Sequence, residues 1–98
     1  MDSVAAIAVL RENRERLRRL GVRHAALFGS VARGEARPGS DLDVMVEIDP
    51  EAAIGVYQYV GIVQFLESLF PVRVDVSNRR AQKPHVRDTA EHDAVYAF

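Results

Sequence analysis

Three aspartates, Asp41, Asp43 and Asp75, stand where a carboxylate is costly unless it is used. Asp41 and Asp43 open an apolar segment, and the two-residue period of a strand puts both side chains on one face. Asp75 interrupts a valine-rich segment, where aspartate is disfavoured and needs a partner. Carboxylates on one face repel each other unless a cation lies among them, and oxygen ligands suit Mg²⁺ or Mn²⁺. The trio therefore predicts a divalent-metal site.

A Gly-Ser pair, Gly29-Ser30, precedes the paired aspartates by about ten residues. It stands at a predicted junction between a strand and a helix, where free backbone N–H groups attract phosphate and glycine allows a close approach. The Ser30 hydroxyl adds a further donor. Because a metal-bound triphosphate needs both a phosphate loop and acidic ligands, the combination indicates binding of a nucleoside triphosphate.

Seven elements in the order α-β-α-β-α-β-α are expected to position these residues. The first helix has Ser3 as its N-cap and ends at Gly21, and the third has apolar residues on most faces, which predicts substantial burial. The pattern predicts an α/β (α+β) fold in which one domain, residues 1–98, has a small mixed β-sheet flanked by helices. The predicted helices cover about 3–20, 31–36, 51–70 and 84–95, and the strands about 23–28, 41–48 and 72–76.

The composition limits the classes of partner and of compartment. The 98 residues carry a net charge of −1, so no basic footprint indicates direct nucleic-acid binding. No cysteine is present, which excludes disulfides and thiolate metal sites. The early apolar run, residues 4–10, has neither the flanks of a signal peptide nor the length of a membrane span, so a cytoplasmic protein is expected. Because the core of so short a chain is small, the folded state can depend on self-association or on a partner for part of its stability.

The residues around the Gly-Ser pair and the aspartates carry a family resemblance. Residues 27–35 and 39–44 resemble the signature of the DNA polymerase β-like nucleotidyltransferase superfamily. The later segments, residues 74–76, Lys83-Pro84 and residues 94–96, are similar to its minimal branch, the MNT proteins or MntA-type antitoxins that pair with HEPN-domain toxins. The resemblance covers nearly the whole chain from Leu20 onward.

This resemblance implies nucleotidyl transfer with two metal ions and ATP as the substrate. Asp41 and Asp43 would hold both ions, and Asp75 would hold the ion that activates the acceptor and would help to deprotonate it. Gly29, Ser30, Arg33 and Ser40 belong to the implied nucleotide site. In the family, the acceptor is a tyrosine of the HEPN toxin, which is silenced by AMP in a type VII-like toxin–antitoxin pair.

Several residues have an ordinary structural interpretation beside the functional one. Arg33 either contacts phosphate or braces the loop through Glu35 or Asp41, Ser40 is either a turn residue or a ligand, and Gly34 serves backbone geometry. The three histidines lack the spacing of metal ligands. Three aromatic residues of the predicted long helix are expected in the core or in an interface, with stacking on an adenine as the alternative. A cluster of basic residues either is solvated at the start of a helix or contacts phosphates or an acidic partner. These sets are His24, His85 and His92; Tyr57, Tyr59 and Phe65; and Arg79, Arg80, Lys83, His85 and Arg87.

Three functions of different class remain open at this point. The first is an active enzyme that modifies a protein. The second is a non-enzymatic antitoxin that blocks its toxin and retains a relic nucleotide site. The third is transfer to a small molecule, as in aminoglycoside nucleotidyltransferases. The intact acidic trio favours activity over a relic, and 98 residues leave no length for a separate small-molecule domain.

Overall fold

A computed structural model describes residues 2–32, 34, 41–79 and 94–98, and its strands form one four-stranded sheet. The helices are α1 (Ser3–Glu12), α2 (Arg14–Arg19), α3 (Gly29–Ala32) and α4 (Val56–Ser68); the strands are β1 (Val22–Phe28), β2 (Leu42–Ile48), β3 (Val74–Asn78) and β4 (Val95–Tyr96). Across the sheet the order is β3-β2-β1-β4. Strand β1 runs antiparallel to β2 and β4, whereas β3 runs parallel to β2. The predicted mixed sheet flanked by helices is confirmed.

The main core lies between one face of the sheet and helices α1, α2 and α4. Alternate residues of β1 and β2 point into it, as the two-residue period of a strand requires. Its largest fully buried side chains include Leu10, Leu17, Leu27, Leu42, Ile62 and Leu66. On the other face, Ala26 and Met45 form a separate small cluster. The main core therefore supports the strand ends that carry the aspartates, from the face of the sheet that the helices cover.

The N-terminal helical segment differs from its prediction in two details. Asp2, rather than Ser3, is the N-cap, and its carboxylate accepts a hydrogen bond from the Ala5 N–H at 2.8 Å. The helix is also divided at Asn13, whose side-chain amide donates to the Val9 carbonyl at 2.9 Å. An asparagine that bonds its own helix backbone competes with helical continuation, which explains the break.

Helix α4 is shorter and more exposed than its apolar composition predicts. Residues 51–55 form a turn and extended backbone, and the helix begins after Gly55, whose N–H donates to the Gln58 side chain at 3.0 Å. Ile62 and Leu66 are its buried residues, whereas Val56 is 77% and Tyr57 is 91% exposed. The expectation of substantial burial was wrong, because the helix packs through one narrow stripe.

The end of the chain forms a strand where a helix was predicted. Val95 and Tyr96 pair with β1 at Leu27 and Ala26, so the predicted helix does not reach Val95. Its remaining residues, 84–93, lie outside the described part of the chain, as do the predicted Pro38-Gly39 turn and most of residues 33–36. None of the helices in the described part is long and apolar enough to cross a membrane.

Candidate nucleotide and metal site

The parallel pairing of β2 with β3 places Asp43 directly beside Asp75. Residues paired in register on neighbouring strands project from the same face of a sheet. The flanking pair, Leu42 and Val74, is buried in the core, so the two aspartates face away from it. Asp41 is exposed and immediately precedes β2. The structure thus brings Asp43 and Asp75 to one face of the sheet, as the sequence predicts.

The backbone at Gly29 lies against the Asp43 carboxylate. Phe28, the last residue of β1, pairs with Asp43, and the chain then turns into α3 with a Gly29 φ of +79°. A Cβ at Gly29 would contact Asp43 Oδ2 and would lie 3.3 Å from its Cγ. Both the positive φ and the close approach require glycine. The Asp43 carboxylate therefore occupies the position that a side chain at residue 29 would need.

Arg73 lies beside Asp75 on the exposed side of the sheet. Its Nε is 3.8 Å from Asp75 Oδ1, and the two side chains are 76% and 49% exposed. Within residues 2–32, 34, 41–79 and 94–98, no three His, Cys, Asp or Glu side chains converge closely enough to hold a metal ion. The expectation that three carboxylates lie close together is not met in this arrangement. Like charges disfavour such convergence unless a cation compensates them, and Asp75 has Arg73 as its partner instead.

The chemistry of the donor set fits a hard divalent cation. Asp41, Asp43 and Asp75 offer carboxylate oxygens, and the register of β2 and β3 places two of these residues side by side. Mg²⁺ typically binds one or two carboxylates together with phosphate oxygens and waters. Gly29, at the turn from β1 into α3 beside Asp43, lets the backbone come close to a ligand, as a phosphate-binding turn requires. The residues present therefore fit the metal, and its binding remains a prediction.

The remaining members of the predicted nucleotide site are described only in part. Ser30 is the second residue of α3, next to Gly29, which agrees with the predicted junction of strand and helix. Arg33 and Ser40 lie outside the described residues, so their roles remain predictions. Gly34 has a φ of +74°, and a Cβ there would meet no atom within 4 Å. Its role in backbone geometry agrees with the expectation.

An ion pair at the far ends of β2 and β3 was not predicted. Arg79 Nη1 lies 3.5 Å from Glu47 Oε2, with side chains 35% and 17% exposed. Arg79 thus braces the end of β3 against β2, whereas Arg80, Lys83, His85 and Arg87 lie outside the described residues. Arg73 was also missed as a neighbour of the site. Its spacing of two residues from Asp75, which puts both side chains on one face of an extended segment, was a usable signal.

His24 and the aromatic residues of α4 lie away from the aspartates. His24 Nδ1 is 3.2 Å from the Phe98 carbonyl oxygen. The His24 and Tyr96 rings meet edge-on, with their centres 6.3 Å apart. Tyr59 and Phe65 pack against the main core, as expected. Burial raises the pKa of the Tyr59 phenol by desolvation. Tyr57 is 91% exposed and is not a core residue.

Comparison with known proteins identifies the family. The model of the nucleotidyltransferase domain family matches residues 10–97, so the chain belongs to that family. The protein adenylyltransferase MntA of Thermococcus cleftensis is 32% identical over 90 residues, which cover 91% of this chain and 89% of that protein. A candidate protein adenylyltransferase of Methanocaldococcus jannaschii is 33% identical over 90 residues, covering 90% of each chain. The resemblance to MntA-type proteins is confirmed.

Solved structures agree with this membership. A candidate minimal nucleotidyltransferase has a TM-score of 0.73 and 34% identity, with 97% of this chain and 95% of that chain covered. A chain from the complex of a tri-AMPylated Shewanella oneidensis HEPN toxin with its MNT antitoxin has a TM-score of 0.64. It is 16% identical, with 94% of this chain and 71% of that chain covered, and shows the likeness of fold alone. The fold is that of a minimal nucleotidyltransferase.

Proposed function

We propose that this chain is a metal-dependent protein adenylyltransferase that transfers AMP from ATP to a tyrosine of a HEPN-domain toxin. It would thereby act as the antitoxin of that pair, in the cytoplasm. The observation that carries the proposal is the pairing of Asp43 with Asp75 next to the turn at Gly29. The similarity to the protein adenylyltransferase MntA supports transfer to a protein, and the likeness of fold to an MNT antitoxin solved with an AMPylated HEPN toxin supports the partner.

The three aspartates would have two roles, metal binding and proton transfer. Asp41 and Asp43 would hold two Mg²⁺ or Mn²⁺ ions, and Asp75 would hold one of them. When bound, such ions neutralise triphosphate charge and lower the pKa of a nearby acceptor hydroxyl. Asp75 stands at the exposed side of the pair, where an incoming hydroxyl has access to its carboxylate. In this proposal, Asp75 also accepts the proton of the acceptor hydroxyl.

The transfer exchanges one bond at the α-phosphorus for another. The tyrosine oxygen forms a bond to the α-phosphorus of ATP, and the bond from that phosphorus to the oxygen bridging to the β-phosphate breaks. Pyrophosphate leaves, and the tyrosine proton passes to Asp75 and then to solvent. A tyrosine is a suitable acceptor because its ordinary pKa of about 10 lies within reach of a base assisted by positive charge.

The Gly-Ser turn and the loop after it would hold the triphosphate. Gly29 admits phosphate close to the backbone, and Ser30 contributes its N–H and its hydroxyl. Arg33 and Ser40 would complete this site. Their place in it rests on the sequence motif. Loss of the Ser30 hydroxyl should therefore weaken transfer less than loss of an aspartate, because the backbone donors remain.

The direct test follows label from ATP labelled at the α-phosphate into the HEPN-domain partner. We expect label on a tyrosine of the partner, only with divalent metal, and none with Asp41→Ala, Asp43→Ala or Asp75→Ala. Asp49→Ala is the matched control, since Asp49 follows the far end of β2 and its carboxylate accepts from the Glu51 N–H at 2.9 Å. That variant should lose little stability and transfer label normally.

Two results would replace the proposal with an alternative. If the aspartate variants neutralise the toxin fully at equal abundance, and no nucleotide labels the partner, the chain is a binding antitoxin with a relic site. If an aminoglycoside receives the label and the protein partner never does, the chain is a small-molecule enzyme.

A further inference from the structure

Positive charge is concentrated on the N-terminal helices and the residues after them. Between Arg11 and Arg23 the chain has six arginines and two glutamates, although its net charge is −1. These arginines are exposed. Arg19 lies 4.0 Å from Glu15, with side chains 79% and 84% exposed, and a pair so exposed holds its partners weakly. The exposed side chains of Arg16 and Arg19 are therefore within reach of carboxylates of another molecule.

A groove of about 320 Å³ runs between α2 and α4 beneath this charge. Its apolar floor has a gap at Gly61, where a Cβ would meet no atom within 4 Å. The Arg16 guanidinium lies 5.4 Å from the centre of the Phe65 ring, so it covers an aromatic face at the rim. The residues that line the groove are Arg16, Arg19, Leu20, Gly61 and Phe65. A hollow in an apolar floor with a cationic rim fits an apolar side chain flanked by carboxylates.

The groove continues along α4 as an exposed apolar strip. Tyr57, Gly61 and Phe65 are four residues apart and so follow one ridge of the helix. Tyr57 is 91% exposed, and Val56 and Val60 are 77% and 44% exposed. Contiguous apolar side chains on a helix surface are typical of interaction sites. The groove and this strip together form one continuous surface along which a helix can dock.

We propose that this α2–α4 face docks a helix of a protein partner, with an apolar stripe in the groove and carboxylates facing Arg16 and Arg19. The proposal rests on the proposed function in taking the HEPN-domain toxin as that partner. An apolar floor with helical spacing favours a protein helix, which is read through anchors one turn apart. A nucleic acid would instead require cations that follow its phosphates, beside stacking surfaces.

Helix α2, one wall of the docking face, and the candidate reaction site lie at opposite ends of β1. Helix α2 leads through Leu20 and Gly21 into the first residue of the strand, whereas Gly29 follows its last residue. A partner helix bound at the α2–α4 face would therefore leave Asp43 and Asp75 open to the acceptor tyrosine. The docking contact would hold the partner while a separate segment of it reacts.

Affinity of this protein for the purified HEPN-domain partner tests the docking face. Gly61→Leu fills the groove, so we expect its Kd to rise by about tenfold or more. Its melting temperature should stay level or rise, because leucine favours a helix more than glycine does. Gly61→Ala is the graded control, since one methyl group leaves most of the groove open and should change Kd by only about two- to threefold.

Charge and exposed apolar surface are tested by two further pairs of variants. Arg19→Glu should slow association and reduce its dependence on salt, whereas Arg14→Glu, the same change on α2 outside the groove lining, should do neither. Tyr57→Ser should weaken binding, whereas Val4→Ser, at another exposed apolar side chain, 78% exposed on α1, should not. The stabilisation by ATP with Mg²⁺ should be unchanged in all of these variants.

The outcomes separate this proposal from the proposed function. If the wild-type protein binds the HEPN partner and Gly61→Leu and Arg19→Glu bind it equally well, the docking face is wrong and the function stands. If the wild-type protein does not bind that partner, the partner assignment and the docking proposal both fail. If the variants keep the partner but lose a single-stranded RNA probe that the wild type binds, the face is a nucleic-acid surface.

Discussion

Gly29 has a φ of +79° and lies against the Asp43 carboxylate, so two separate effects oppose any side chain there. In Gly29→Ala, the left-handed backbone costs about 1–2 kcal/mol, and the Cβ also displaces the carboxylate. We expect a lower urea midpoint with an unchanged m-value. We also expect loss of label transfer to the partner, because the Asp43 carboxylate is displaced from the site.

Gly34→Ala separates the two effects in that prediction. Gly34 has a similar φ of +74°, but a Cβ there would meet no atom within 4 Å. This variant should show the backbone cost and keep a larger share of its activity. Equal loss of activity in both alanine variants would show that the contact with Asp43 does not matter.

Tyr59 connects the packing of one side chain to the pH dependence of stability. Burial raises its pKa above the ordinary tyrosine value of 10.0, so the folded state favours the neutral phenol. Above pH 10 the unfolded chain releases this proton first, and the stabilising contribution is lost as the pH rises through the raised pKa. Urea unfolding from pH 9 to 11 should therefore show a smaller loss of stability in Tyr59→Phe than in the wild type.

The control for Tyr59→Phe is the same substitution at Tyr57, which is 91% exposed. Tyr57→Phe should leave the alkaline loss of stability as it is in the wild type. If both variants show the same alkaline behaviour, burial of the Tyr59 phenol does not contribute.

The sequence predicted more of the site's composition than of its geometry. The period of two assigned Asp43 and Asp75 to exposed positions of strands, and their shared face was confirmed. The direct pairing of these residues depends on the register of two strands that are distant in sequence, which no local pattern determines. The ion pair of Arg73 with Asp75 likewise depends on side-chain rotamers.

At the scale of elements, α4 has two fully buried side chains, Ile62 and Leu66. Leu66 is fully buried, whereas Val56 is 77% exposed. Leu66→Ala should cost about 2–5 kcal/mol of the free energy of unfolding, a large share of the total for a small domain. Val56→Ala should change it by less than about 0.5 kcal/mol. Urea titration of both variants measures the difference, and comparable losses would contradict the one-sided packing.

The elements that sequence patterns missed are those whose structure depends on distant contacts. β4 has two residues, Val95 and Tyr96, and forms by pairing with β1. So short a run has no period of its own to distinguish it from the end of a helix. The apolar residues of α4 suggested burial on most faces, but only the neighbouring sheet determines which face is covered.

At the scale of the whole molecule, the candidate site is assembled from the ends of three strands. Gly29 follows β1, Asp43 lies in β2 and Asp75 lies in β3, so each part is positioned by the same sheet. The carboxylates repel one another without a cation, and phosphate alone is repelled by them. Nucleotide and metal should therefore bind together more tightly than either binds alone.

This coupling predicts a synergy in thermal stability. ATP with Mg²⁺ or Mn²⁺ should raise the melting temperature by more than the sum of the separate shifts, because a ligand that binds only the folded state stabilises it more, the lower its Kd. Asp43→Asn should abolish the synergy. It should also leave the ligand-free protein equally or more stable, since one of two adjacent carboxylates, Asp43 beside Asp75, loses its charge. Asp49→Asn, at the far end of β2, is the control and should retain the synergy. Equal stabilisation by ATP with and without metal would contradict a site in which each ligand completes the other.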